Sequence, residues 1–148
     1  MAQDFILPVR RAILPRMKGF AALTALIPPG SMWPSTVPAS RTFPFTRFGS
    51  ISATPFRASG LNSSALRISI QAFSQALLNA GGATIATAED QILKIGSAIK
   101  DALDGATLTL EGNAGKVRLT WIGSSPQRDG DEASAWMTTV TFLAEVAG

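Results

Sequence analysis

Apolar residues recur at helical spacing near the start of the chain. Val9, Ile13 and Met17 follow one another at intervals of four, which places them on one face of a helix. Asp4 is positioned to cap the N-terminus of this helix. Pro15 is expected to kink or end it, because proline lacks the amide hydrogen that the helix ladder needs. A second short helix is predicted over residues 20–26.

A longer apolar stripe predicts a third helix in the second half of the chain. Thr87, followed three positions later by Asp90, is typical of a helix N-terminus, and Gly105 is a natural stop. The stripe between these signals consists of Ile92, Ile95, Ile99 and Leu103.

Five segments have the alternating pattern or the turn signals of strands. The clearest covers residues 65–73, in which Leu66, Ile68 and Ile70 alternate with polar residues. Another is predicted over 45–53, between two prolines. Three more follow the third helix: one holds Leu108 and Leu110, one holds Val117, Leu119 and Trp121, and the last covers 135–146.

Two further segments are predicted to extend from this framework. Residues 28–63 are rich in proline, serine and glycine but keep anchoring apolar residues, so they are expected to form a long extended arm with an early strand. These residues are Trp33, Phe43, Phe45, Phe48, Ile51 and Phe56. Residues 123–134 are expected to form a projecting loop or an extended hairpin tip. The predicted fold is a single α+β domain over 1–148: a mostly antiparallel sheet with two main helices packed on one face, plus the arm.

Composition excludes many kinds of catalyst. The chain has no cysteine and no histidine, which removes thiolate nucleophiles, imidazole bases, disulfides and the usual zinc ligands. Apolar residues make up 46% of the chain and charged residues 16%, compared with about 25% charged residues in typical domains. Part of the apolar surface is therefore expected to be covered by neighbouring subunits.

Charge divides the chain into two halves. Residues 1–80 hold eight basic groups and one acidic group, a difference of +7, whereas residues 81–148 hold five basic and nine acidic groups, a difference of −4. Such asymmetry is compatible with nucleic-acid contact, with head-to-tail contact between subunits, or with arginines that are merely solvated.

Three local patterns were weighed as sites of chemistry. Residues 112–117 superficially resemble a phosphate loop, but their spacing and Val117 favour a hairpin turn. Asp129, Asp131 and Glu132 have carboxylates suited to a hard cation, although the solvated-loop interpretation is favoured. The tryptophans are expected to pack rather than to stack on bases.

No apolar run approaches the roughly 20 residues that a membrane helix needs, since the longest is 20–27. The N-terminus lacks the basic start of a signal peptide. These features predict a protein that is made and used in a cytoplasm, without membrane contact.

The order and spacing of several weak motifs resemble a known family. They include Phe43-Pro44-Phe45, the stretch from Ser52 to Ser59, the Ala72-Phe73-Ser74 strand ending, the run from Gly105 to Leu110 and the closing strand. Over nearly its full length the chain resembles the tail-completion, or tail-terminator, proteins of long-tailed bacteriophages and gene transfer agents. It departs from that pattern in an extra stretch over residues 76–87.

The resemblance implies a structural protein without catalysis or cofactor. Such a protein forms a ring, commonly of six copies, that caps the head-proximal end of the tail tube and docks to the head connector at the head–tail joint. Its implied partners are its own copies, the tail tube protein and the connector protein, with DNA passing through the lumen without specific binding. Particles of this kind are assembled in the bacterial cytoplasm.

Candidate contact residues follow from the arm, the loop and the basic half. Those expected at the subunit or ring interface are Trp33, Arg41, Phe43, Arg47, Phe56, Arg57, Arg128, Asp129 and Asp131. Those that are candidates to face DNA in the lumen are Arg47, Arg57 and Arg67. Edge strands are expected to pair across subunits.

Rival interpretations remain open from the sequence. Within the same class, the protein could be a head–tail connector or a baseplate ring subunit. A different class is a basic nucleic-acid-binding module that uses the +7 half. A small enzyme that uses only carboxylates, with Asp129, Asp131 and Glu132 as candidates, is the least favoured.

Overall fold

The computed structural model describes residues 6–55, 63–78, 80–113, 115–128 and 135–147. Within them lie three α-helices: α1 over Ile6–Lys18, α2 over Ala21–Thr24 and α3 over Ala88–Leu103. Short 3-10 turns cover Pro29–Ser31 and Glu111–Asn113. Asp4, the predicted cap of α1, lies outside the described residues.

Helix α1 buries the predicted face, with Val9, Ile13 and Met17 almost fully inaccessible. It does not end at Pro15, where a stop or kink was predicted, but continues to Lys18. Pro15 is exposed and lies in the last turn, so the missing amide hydrogen leaves a carbonyl that water can reach. The amide of Gly19 then bonds to the Pro15 carbonyl at 3.0 Å and closes the helix.

Helix α3 begins and ends where its sequence signals predict. The Thr87 hydroxyl accepts a hydrogen bond from the Asp90 amide at 3.1 Å, which satisfies one of the free donors of the first turn. Gly105 follows the helix with a positive φ of 75°, a conformation that glycine adopts at little cost. The predicted stripe of Ile92, Ile95, Ile99 and Leu103 is buried along its whole length.

The described strands form one five-stranded antiparallel sheet and one small hairpin. The main sheet has the order β1-β2-β7-β6-β5. Its strands are β1 over Phe45–Pro55, β2 over Ser63–Gln75, β5 over Thr107–Thr109, β6 over Lys116–Arg128 and β7 over Ala135–Ala147. The hairpin pairs β3, Leu77–Leu78, with β4, Thr84–Ala86.

The structure defines two segments more closely than the sequence does. Residues 123–128, expected in a projecting loop or an extended hairpin tip, belong to an extended hairpin: they continue β6 and pair with β7 as far as Arg128 opposite Trp136. Leu110 lies just after β5 rather than within it, and its amide bonds to the Gly115 carbonyl at 2.9 Å. The 3-10 turn over Glu111–Asn113 therefore lies between the antiparallel strands β5 and β6.

One core holds the helices against the sheet. We call the helix-covered side of the sheet the inner face and the opposite side the outer face. Alternate residues of β2, β6 and β7 point to the inner face and pack on α3 and α1; among them are Leu66, Ile68, Leu119, Val140 and Phe142. Burial of each such side chain is worth about 1.5–3 kcal/mol. The fold is α+β with the helices on one face, as the sequence predicts.

Candidate assembly surfaces

The outer face of the sheet is polar along most of its area. In β7 the residues that alternate with the core are Met137, Thr139, Thr141 and Leu143, all half-buried. Across β6 and β2 their neighbours are mainly Ser, Thr, Gln and Arg. Both long helices pack on the other side, so no described helix covers this face.

One end of the outer face is different, because Val37, Arg41 and Phe43, from the part of the arm before β1, lie beside it. Phe45 and Phe73 are cross-strand partners there and stack with ring centroids 4.7 Å apart. Although they belong to the outer face, they are only 4% and 7% exposed. Phe43 packs edge-on against Phe45 at 5.2 Å. An aromatic cluster therefore anchors the arm to the sheet.

Two arginines stack on this aromatic cluster. The Arg41 guanidinium lies 5.6 Å from the Phe45 ring centroid, and that of Arg47 lies 5.1 Å from the Phe73 centroid. Arg47 Nε also donates a hydrogen bond to Gln71 Oε1 at 2.9 Å. Stacking on an aromatic face leaves the edge of a guanidinium available for hydrogen bonds in its own plane.

These groups surround a cavity of about 310 Å³. We call it the Arg–Phe pocket, and it is lined by Val37, Arg41, Phe43, Phe45, Arg47 and Phe73. The described residues form an ion pair between Arg11 and Glu111, at 2.8 Å, and it lies outside this pocket. Neither guanidinium of the pocket meets a carboxylate of the described chain, so both retain capacity for an anionic partner.

A second, shallower groove of about 280 Å³ lies further along the outer face. It is lined by Arg67, residues 122–125, Thr139 and Thr141. Ile122 stands at a bulge of β6 and is 44% exposed. The groove thus combines hydroxyl groups, one cation and one accessible apolar side chain.

The two lateral edges of the sheet are each covered over part of their length. At β1, the Trp33 amide bonds to the Thr46 carbonyl and the Phe48 amide bonds to the Pro34 carbonyl, at 2.8 and 2.7 Å. No described segment pairs in this way with residues 50–55. The start of the arm therefore acts as a short parallel cover for one half of the β1 edge.

At the other edge, β5 covers β6 only from Lys116 to Arg118. The turn after α3 accepts hydrogen bonds from the next two edge amides of β6. The Leu119 amide bonds to the Ala106 carbonyl, and the Trp121 amide bonds to Asp104 Oδ1, both at 2.9 Å. In the described chain no strand pairs with the edge of β6 that faces away from β7 over residues 122–128. Pro126 lies in this open stretch, and proline is a residue that edge strands tolerate.

The structure brings together three of the predicted contact residues, Arg41, Phe43 and Arg47, in the Arg–Phe pocket. Trp33 is half-buried beside β1, and its indole nitrogen is buried without a hydrogen-bond partner among the described groups. Arg67 is exposed on the same outer face, and Arg128 is exposed at the end of β6.

Four predicted contact residues, Phe56, Arg57, Asp129 and Asp131, lie outside the described residues, as does Glu132. Sequence reasoning did not include Phe45 and Phe73 among the contact residues. Phe73 is the large aromatic residue at an outward position of β2, and that position was the available signal.

The described residues contain no group of three potential metal ligands. No described helix is long and apolar enough to span a bilayer.

Comparison with known proteins gives two positive findings. Residues 11–145 match the family described as tail completion protein gp17. A chain of a solved structure described as the virion of a native gene transfer agent particle superimposes with a TM-score of 0.80 at 17% identity, covering 99% of this chain and 100% of that one. No protein with a curated description matches.

The structural likeness, at so low an identity, shows a shared fold. The family match spans most of the chain, and it confirms the resemblance seen in the motifs. The chain belongs to the tail completion protein gp17 family.

Proposed function

We propose that this protein is a tail-terminator subunit, copies of which form a ring that closes the head-proximal end of the tail tube and docks to the head connector. A structural role in the tail of a phage or phage-like particle follows from the family. The ring, its place at the head–tail joint and the absence of catalysis belong to the proposal.

The observation that supports the ring most directly is the division of the sheet. The inner face is filled by the chain's own helices, whereas the outer face and parts of both edges have no covering element in the described chain. An open sheet edge is a template for a further strand, and proteins usually cover or blunt such edges. Contact with neighbouring copies would cover them here.

Strand direction is compatible with a closed ring. The four long strands alternate in direction in the order β1-β2-β7-β6. When copies are related by rotation about one axis, the β6 edge of one copy and the β1 edge of the next therefore run antiparallel. The open stretches, 122–128 and 50–55, lie at opposite ends of the sheet, so neighbouring copies would be offset along the strands.

Six copies are the proposed number. A domain of this length has a radius of gyration of about 15 Å, and six such bodies in a ring leave a lumen wide enough for duplex DNA. Arg67 and Arg47 lie on the outer face and are candidates to line this lumen, with Arg57 as a further candidate. We assign most of the arginines to contact between subunits, because a conduit must allow DNA to slide.

The experiment is to image particles assembled with and without this protein. Without it, we expect tail tubes of abnormal length that do not join filled heads. Normal joined particles that lack the protein would disprove the proposal. Mass measurement in solution then shows whether the ring forms before it meets the tube.

The rival class, a nucleic-acid-binding module, is favoured by the cations of the outer face. It predicts that a monomer binds duplex DNA with an affinity that falls by several orders of magnitude as salt rises. A monomer with that salt dependence would replace the ring proposal.

A further inference from the structure

We propose that the Arg–Phe pocket is a docking site for the acidic residues 129–132 of a neighbouring copy. This inference rests on the proposed function, because it needs copies that stand side by side in a ring. It names the contact that fixes one copy to the next.

The first argument is the chemistry of the pocket. Arg47 is held in place on two sides, by the Phe73 ring and by Gln71 Oε1, while Arg41 lies over Phe45. Two oriented guanidiniums with no carboxylate nearby in the described chain suit an anionic group. Arginine binds carboxylates through two parallel hydrogen bonds, and its stacked position reduces the entropy lost on binding.

The second argument is the shape of the pocket, which favours a carboxylate side chain over a nucleic-acid backbone. The cavity is concave, walled by three phenylalanines, and has room for one or two side chains. Duplex DNA needs a row of cations along its phosphates. The outer positions next to Arg47 across the sheet are Gln71, Thr139 and Ser125, so no row of cations continues from the pocket across the strands.

The third argument is the position of the proposed occupant. Residues 129–132 contain three carboxylates, at Asp129, Asp131 and Glu132, and connect the end of β6 to the start of β7. The cross-strand row Phe45, Phe73, Met137 and Gln127 places the ends of these strands at the same end of the sheet as the pocket. The strand ends that the acidic segment connects therefore lie at the same level along the strands as the pocket.

The fourth argument separates a neighbour from the same chain. Within one copy, β1 is three strand spacings or about 14 Å from β6, and two spacings or about 10 Å from β7, the two strands that the acidic segment connects. In a ring, the β6 side of one copy faces the β1 side of the next, one spacing away. The offset between copies also moves the neighbour's pocket outwards, beyond the end of β6 at Arg128.

A peptide experiment tests the pocket whether or not free copies form a ring. The receptor is the full chain with Asp129→Asn, Asp131→Asn and Glu132→Gln, which carries no competing acidic segment. A labelled peptide of residues 127–134 should bind it, and the same peptide with amides for the three carboxylates should not. Arg41→Gln with Arg47→Gln in the receptor should weaken binding by about tenfold or more, whereas Arg118→Gln should not.

A charge-exchange experiment tests which copy supplies the segment. One chain carries Arg41→Glu and Arg47→Glu, and the other carries Asp129→Lys, Asp131→Lys and Glu132→Lys. Each alone should give few joined particles, because like charges then meet. The two chains produced together should restore joining, with the variants alternating around the ring, which an even number of copies permits. Thermal unfolding of each chain confirms that it folds.

Each other outcome contradicts the inference. If the peptide binds the Arg41→Gln, Arg47→Gln receptor as tightly as the receptor with both arginines, the pocket is not its binding site. Restoration by all five changes within one chain, but not by the mixture, would place the contact inside a single copy. If the protein binds duplex DNA and loses that binding when Arg41 and Arg47 are replaced, the pocket binds phosphate groups rather than the acidic segment. In all three cases the loss of joining on deletion of the protein would still support the proposed function.

Discussion

The two faces of the sheet are made by the same strands but have different relations to the rest of the molecule. On the inner face Ile68, Val140 and Phe142 are covered by the chain's own helices and are at most 1% exposed. On the outer face Thr139, Thr141 and Leu143 stay half-buried, and two arginines keep unmet hydrogen-bonding capacity. The inner face stabilises the fold, and the outer face is available for contact.

The largest expected effect is on the inner face. Phe142→Ala should lower the free energy of unfolding by about 3–5 kcal/mol, because it leaves a cavity in the core. Thr141→Ala, the adjacent outward residue, should change it by less than about 1 kcal/mol. Denaturant unfolding measures both. Equal effects would mean that the two faces do not differ as described.

The next effect concerns assembly through the outer face. Ile122→Gln should leave the fold intact but weaken association of copies by roughly tenfold or more. The reason is that an isoleucine side chain buried in the contact between copies is worth about 1.5–3 kcal/mol. Leu93→Gln is the matched control, because Leu93 is similarly exposed, at 49% against 44%, but lies on α3. The measurement is the fraction of joined particles. If Leu93→Gln lowered the fraction of joined particles more than Ile122→Gln, the contact surface would lie on the helices instead.

A smaller effect is expected on the stability of the isolated chain when the pocket loses its charges. Arg41→Gln with Arg47→Gln removes two cation–π contacts, worth about 0.5–1 kcal/mol each at exposed sites. The free energy of unfolding should therefore fall by no more than about 2 kcal/mol. A larger loss in thermal or denaturant unfolding would show that these arginines serve the fold rather than a partner.

The smallest effect compares two glycines, one for each face. An added Cβ at Gly96 in α3 would meet Thr138 Cγ2 at 3.5 Å, an ordinary contact, so Gly96→Ala should stabilise the chain by up to about 1 kcal/mol. At Gly49 it would meet the Gln71 side chain at 3.3 Å, and Gly49→Ala should bring no gain. A destabilised Gly96→Ala protein would mean tighter packing between α3 and β7 than the distances indicate. Denaturant unfolding resolves the two.

The sequence predicts the inner face well because burial leaves a periodic signal. The stripe of α3 and the alternation of Leu66, Ile68 and Ile70 each identify an element and its buried side. Residues 123–128 carry no such signal, since Gly-Ser-Ser-Pro-Gln-Arg has no apolar alternation. That part of β6 is held by pairing with β7, which periodicity does not record. Pro15 predicts a helix stop from the sequence, and only its exposed position in the last turn of α1 explains why the helix continues.

The Arg–Phe pocket could be predicted only in part. Arg41, Phe43 and Arg47 are close in sequence and were candidates from the arm. Phe73 joins them because β1 and β2 pair in a register that sets Phe45 opposite Phe73. The alternation of β2 places Phe73 on the outer face, but the sequence alone does not fix which residue of β1 stands opposite it.

The hydrogen bond from the Trp121 amide to Asp104 has a further consequence for any strand that adds beside β6. A side chain there occupies a donor that an incoming backbone would otherwise use, so pairing can begin only after Trp121. Because every copy carries the same block, every added strand would start at the same residue and present the same side chains. If copies pair edge to edge as proposed, Asp104 would thereby confine every junction to the same stretch of β6.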